Sequence, residues 1–424
     1  MCRVMPGRSL VLATFLMMAA NVSAAWTTIS ASSFTDENGI ERFPACSQGD
    51  TFSFFVDEPE SAEGLLLYFA GGGACWDAAT CVGSAQTDSP TYYGSIWETA
   101  ESLDVLSADV DGSGAGGILT TRLDNPYARF VKVYIPYCTG DVHIGSSDTN
   151  YDYTLPSEAG VQTAPSSRTI HHRGFDNLLA ALTWIRSHLS INDFGEITVA
   201  GSSAGGYGAL LNFPVIRESL DAEGADYSII IDSSNGVLTN GFVDRAFGPS
   251  KTDPGVWNAR QNLHPSLAAI PDLDASSLWV TAIKTVARRY RDTRLSQSTA
   301  AYDLVQSIVY WTMKAVDQGT YDPFVEPTQN ELLLLDLLEW SPKARWAMVS
   351  TALQAPNYRY YLGAGQGHIH LLLDEASSLF PTTNYFEEDS AMGVLYTDWL
   401  HDMLYNNRFL NTDWRNLTCF PNCL

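Results

Sequence analysis

The chain has 424 residues, 45% of them hydrophobic, which is ample for one large core and allows one to three domains. Its 48 acidic residues against 24 basic ones give a net charge of −24. With no basic block beyond "ARRYRDTR" at 287–294, that balance weighs against nucleic acid as a partner and against densely anionic substrates.

Residues 1–24 combine Arg3 and Arg8 with a short apolar run and the small-x-small ending Val22-Ser23-Ala24, the pattern of a cleaved signal peptide. The run is shorter than the roughly 20 residues a membrane span needs, so no stable membrane insertion is expected. The expected location is secreted or periplasmic. After short early strands and turns, "GLLLYFAGGG" at 64–73 reads as a buried strand opening into glycines. "SADVDGSGAGGILTTRLDNPYA", from residue 107, reads as a surface connection. "RFVKVYIPYCTGDVHIG" at 129–145 is a second strand ending in a turn-rich loop. Residues 173–189 carry Phe175, Leu178, Leu179, Leu182 and Ile185 at helical spacing.

Further strands are expected at 194–201, 226–236 and 358–368, with a helix after the first of them and a closing helix at 390–406. Segments 245–300 and 304–345 read as mostly helical, although "RLSQSTAAY" within them has the look of a late strand. Strands alternate with helices, without repeats or a linker. The expectation is a single α/β-hydrolase-like catalytic domain over 25–424, with a mainly parallel central sheet flanked by helices and a mostly helical insertion around 245–345.

Beyond the leader, six cysteines remain, an even number suited to disulfides in an exported chain. Cys75 with Cys81 and Cys419 with Cys423 are the close pairs, which leaves Cys46 with Cys138. The chain lacks CxxC and HExxH, and its eight histidines are scattered, so no metal is expected.

"ITVAGSSAGGYGALLN" at 197–212 fits Gly-x-Ser-x-Gly only with Ser203 at the centre, between Gly201 and Gly205. A strand before it and a helix after it make a nucleophile elbow, with the Ala204 amide at a helix N-terminus. A phosphate loop would need a lysine that is missing. The glycines of "YFAGGGACWD", Gly72 and Gly73 in particular, offer bare amides to an oxyanion. A base is sought in "GHIH", where His368 directly follows the glycine loop and His370 begins an apolar run. The orienting acid must lie between serine and histidine, and Asp232, Asp303 and Asp322 compete for the role.

"GSSAGGYGALLN", "YFAGGGACWD", "YCTGDVHIG", "HHRG" and "AYD", in this order, resemble the pectin acetylesterase and Notum family of carboxylester hydrolases. The resemblance spans roughly residues 40 to 375. It implies Ser203 as nucleophile, Asp303 as acid and His368 as base, with oxyanion amides at Gly73 and Ala204 and Gly72 beside them. It also implies a Cys75–Cys81 disulfide. "GGG" stands where Notum has Gly-Gly-Trp, and the basic patches with which Notum holds sulfated glycans have no counterpart. Plant members remove acetyl groups, whereas Notum removes a long unsaturated acyl group. The expectation is a serine esterase without cofactor that removes a short, acetyl-like group from a small or polymer-borne ester such as a polysaccharide. Its rivals are a polyester depolymerase, a longer-chain O-deacylase, a peptidase and a non-catalytic secreted binding protein.

Overall fold

The computed structural model describes residues 25–83, 91–109, 116–153, 166–250, 252–270, 274–323, 331–372, 386, 389–405 and 414–423; the expected signal segment lies outside them. Nine strands build the central sheet, numbered here in chain order. They are β1 (Thr27–Ser30), β2 (Ser53–Asp57), β3 (Gly64–Phe69), β4 (Phe130–Ile135), β5 (Glu196–Ser202), β6 (Asp226–Asp232), β7 (Arg294–Ala300), β8 (Tyr358–Gly363) and β9 (Leu417–Thr418). Their order across the sheet is β1-β2-β4-β3-β5-β6-β7-β8-β9. Neighbours from β4 onward are parallel, while β2 runs antiparallel to both β1 and β4.

The sequence explains why the middle strands sit in the middle. β3, "GLLLYF", is buried at every position, and β5 and β6 are buried at all but their first residue. A parallel strand covered by helices on both faces needs this near-continuous apolar run. Helix Ala204–Leu220 packs on β3, β5 and β6, and helix Ala275–Arg289 packs on it in turn. Helix Leu304–Asp317 packs on helix Glu331–Ala352, which also meets β8. The result is an α/β-hydrolase-like fold: a mainly parallel sheet flanked by helices, with further helices over its C-terminal edge.

Two local expectations need correction, and one element goes beyond them. The late strand expected at "RLSQSTAAY" is present as β7, but it pairs with β6 and β8, so the single helical insertion expected around 245–345 is two separate excursions from the sheet. Within the expected surface connection, Gly117–Leu119 forms a buried turn whose Ile118 amide donates to the Leu371 carbonyl at 2.8 Å. The turn-rich end of 129–145 is followed by an antiparallel hairpin, Ser147–Tyr153 against Ser166–His172. Its alternating polar residues gave no apolar run to signal it. All three disulfides pair as the cysteine spacing suggests: Cys46–Cys138, Cys75–Cys81 and Cys419–Cys423.

Candidate active site

Parallel strands end together, so loops that follow β3, β5, β6, β7 and β8 converge on one edge of the sheet. Ser203 stands between β5 and helix Ala204–Leu220 at φ +55°, ψ −125°, a conformation that non-glycine residues rarely adopt. The glycines on either side make this turn sterically feasible. A Cβ on Gly201 would lie 2.2 Å from the Gly205 carbonyl oxygen, and one on Gly205 would lie 1.9 Å from the Phe69 carbonyl oxygen. Strand, helix and the end of β3 therefore approach more closely than any side chain allows. Ala204 is the first residue of the helix, where backbone N–H groups have no intrahelical acceptor and the helix dipole is positive.

The glycine loop after β3 comes to the same place. Gly71 abuts the elbow: a Cβ there would be 2.9 Å from the Ser203 Cβ. Gly73, at φ +74°, has no room for a side chain, since a Cβ would meet the Thr91 carbonyl oxygen at 2.0 Å. Gly72 accepts a hydrogen bond from the Tyr93 amide at 2.8 Å. The loop is held from below by His143, whose Nε2 lies 2.9 Å from the Ala70 carbonyl oxygen. Burial holds that imidazole down at about 4, so the neutral ring donates this bond at neutral pH.

The competing histidines and aspartates separate into two pairs. Asp303 follows β7, is fully buried, and accepts from His368 Nδ1 at 2.9 and 3.0 Å through its two oxygens. It also caps helix Leu304–Asp317, accepting from the Gln306 amide at 2.9 Å, while Gln306 Nε2 donates to Oδ2 at 2.7 Å. His370 is fully buried and lies instead between Asp232 and Asp389, with Nδ1 3.3 Å from Asp232 Oδ1 and Nε2 3.5 Å from Asp389 Oδ2. Asp322 stands elsewhere: after burial, it is among the carboxylates that raise the hydroxyl pKa values of Tyr153 and Tyr321. Ser202, neighbour of the elbow serine, is buried, accepting from Tyr68 Oη and donating to Asp232 Oδ2, each at 3.0 Å.

Ser203, His368, Gly73 and Ala204 all line one cavity. Its remaining wall is mostly apolar and comes largely from the helical excursions, with Leu238, Phe242, Leu278, Trp279, Val309 and Met313 among its residues. Sequence reading missed two contributors, Gln306 and Ser233. For Gln306 a signal existed, since Asp303-x-x-Gln306 has the spacing of a helix capping box. Ser233 carried none. The atoms of Cys75, Cys81 and His172 also cluster within 4.8 Å, but both sulfurs are spent in a disulfide and supply no thiolate to a metal.

A profile of the Pectinacetylesterase family matches residues 37–237. Among curated proteins, the palmitoleoyl-protein carboxylesterase notum1a of Danio rerio is 25% identical over 183 residues, which is 42% of this chain and 31% of that protein. The palmitoleoyl-protein carboxylesterase NOTUM of Drosophila melanogaster is 28% identical over 182 residues, 41% of this chain and 23% of that protein. The matches thus span about a third or less of these relatives. A solved structure of the Wnt deacylase Notum from Drosophila superposes with a TM-score of 0.50 at 17% identity, covering 88% of this chain and 93% of that one, which shows a shared fold. By sequence profile and curated relatives, the chain is similar to the pectinacetylesterase and Notum carboxylesterases.

Proposed function

We propose that the protein is an exported serine carboxylester hydrolase that removes a medium- to long-chain acyl group from an alcohol oxygen. The observation that carries this reading is the shared cavity: Ser203 and His368 line one space whose wall is mostly apolar. Apolar side chains such as Leu238, Phe242, Leu278, Trp279 and Met313 offer contact to a hydrocarbon chain that an acetyl group does not have, so the short-acyl expectation gives way to the longer-chain alternative. That expectation rested on Gly73 and on the acidic charge, neither of which reports on the opposite wall. The relatives' description as palmitoleoyl-protein carboxylesterases supports the same direction.

In the proposed mechanism, His368 takes the Ser203 proton as the hydroxyl oxygen attacks the ester carbonyl. The Gly73 and Ala204 amides stabilise the resulting oxyanion, with Gly72 shaping their loop. The imidazolium protonates the leaving alcohol, and water repeats the sequence on the acyl-enzyme. Asp303 keeps Nδ1 of His368 protonated and the ring oriented throughout. Three disulfides fit an oxidising compartment, in keeping with export. No helix among the described residues is long and apolar enough to cross a membrane.

Ser203→Ala tests the assignment. The variant is expected to keep its melting temperature within a few degrees and to lose at least about a thousandfold in kcat on an octanoate ester. Retained turnover in the folded variant would contradict the proposal.

A further inference from the structure

The proposed reaction uses one aspartate–histidine pair, and the second lies directly beneath it. Asp232 ends β6 and is fully buried. On the elbow side, its carbonyl accepts from the Ser203 amide at 2.9 Å, and its Oδ2 accepts from Ser202 Oγ at 3.0 Å. On the other side, the same Oδ2 accepts from the amides of His370 at 2.8 Å and Leu371 at 3.0 Å. Its Oδ1 faces Nδ1 of His370 at 3.3 Å and accepts from Ser298 Oγ at 2.8 Å. The following residue, Ser233, donates its hydroxyl to the carbonyl of His368. One buried residue and its neighbour therefore grip both the turn that carries Ser203 and the loop that carries His368.

Simple anchoring of a loop does not call for charge in so dry a place. Each buried ion costs several kcal/mol to desolvate, and apolar packing of similar volume holds a loop as well or better. A buried ion pair instead favours one geometry, because every alternative leaves a charge unmatched. The groups around His370 are arranged for that. Asp232 and Asp389 stand on opposite edges of the ring, and the phenol rings of Tyr361 and Tyr396 flank it with centroids at 6.1 and 5.3 Å. Burial pushes the imidazole pKa down, but the two carboxylates outweigh it and raise it to about 9, so the ring is cationic at neutral pH.

We infer that Asp232 and His370 are positioning residues whose buried ion pair sets the placement of His368 relative to Ser203. The inference rests on the proposed esterase reading and deepens it. A base displaced by about 1 Å loses on the order of a hundredfold in rate while the acyl group still binds the same cavity. The pair therefore acts on kcat rather than on KM.

The test compares Asp232→Asn, His370→Gln and the double variant with the wild type, reading melting temperature, kcat and KM on an octanoate ester. Each single variant is expected to lose at least about tenfold in kcat with KM within about twofold. His370→Gln leaves two buried carboxylates without their cation and the double variant leaves only Asp389, so the double variant is expected to regain melting temperature relative to His370→Gln without regaining kcat. Ser202→Ala, which cuts only the elbow side of the grip, should lower kcat in a protein that folds even if the others do not. The inference is overturned if folded His370→Gln or Ser202→Ala keeps wild-type kcat, or if kcat recovers along with stability in the double variant. Ser203→Ala separates the two levels: an inactive Ser203→Ala beside a fully active His370→Gln defeats only the positioning role, whereas an active Ser203→Ala defeats the esterase reading itself.

Discussion

Ser203 and Ser202 are adjacent small residues with opposite surroundings. The turn at φ +55° leaves Ser203 lining the cavity, while Ser202, the last residue of β5, is buried against Tyr68 and Asp232. Motif spacing separates the two, because only Ser203 has glycines two residues away on both sides. Spacing separates His368 from His370 less well. Alternation puts residues two apart on one side of a strand, but both histidines lie in irregular backbone where no such rule applies. The pairing of each with its own aspartate depends on which strand ends lie side by side, and that is tertiary information. The glycines of the elbow give the clearest prediction at this scale. Gly205→Ala forces a methyl against the backbone of Phe69 and Ala70, where no side chain can move aside. A loss of about 1–3 kcal/mol or more is expected in urea unfolding, together with lower activity. A variant with wild-type stability would mean the strand and helix are less closely apposed than described.

At the scale of elements, the sequence was most legible where apolar patterning is strong. β3, β5 and β6 and helix Gly174–His188 appear within a residue or two of expectation at most ends, because buried parallel strands and amphipathic helices announce themselves. β7 shows the opposite. "RLSQSTA" is polar yet buried at every position. Its side chains find partners inside the sheet: Ser296 donates to the Ile229 carbonyl, Gln297 to the Ser234 carbonyl and Ser298 to Asp232. A strand satisfied by hydrogen bonds rather than by apolar packing has no hydrophobic period to read. The strand is read in "RLSQSTAAY" without its place in the sheet, so 245–345 passes for one helical insertion and the origin of the cavity wall stays unread. The helices on both sides of β7 face Ser203, so the acyl chain's surroundings could not be read from the motif-bearing loops.

For the whole molecule, buried titratable groups set a pH window. Burial holds His143 and His172 down at about 4, against about 6.5 in an unfolded chain. The unfolded state therefore binds protons that the folded state does not, and the stability these rings lend is lost as pH falls from about 6.5 through 4. Asp141, which burial raises to about 6, and Glu196, also raised by burial, act in the reverse sense, but the lowered carboxyls of Asp148, Asp232, Glu218 and Glu339 act with the two histidines. His370, raised to about 9, contributes stability that is complete below about 6.5 and is lost as pH rises through about 9. Thermal melts across pH 4–10 should show a maximum near neutrality and a decline on both flanks. A melting temperature that climbs steadily towards pH 4, or stays level to pH 10, would contradict this balance.

The apolar lining of the cavity is the ground for proposing a long-chain deacylase rather than an acetylesterase, and it also sets a magnitude. Each methylene buried against apolar wall contributes up to about 0.8 kcal/mol, so six further carbons contribute up to about 5 kcal/mol. The most direct measurement is kcat/KM over a series of p-nitrophenyl esters from two to sixteen carbons, with Ser203→Ala as the blank. We expect kcat/KM to rise from two carbons to a maximum at eight or more. A steep optimum at two carbons, falling with every added methylene, would contradict the account.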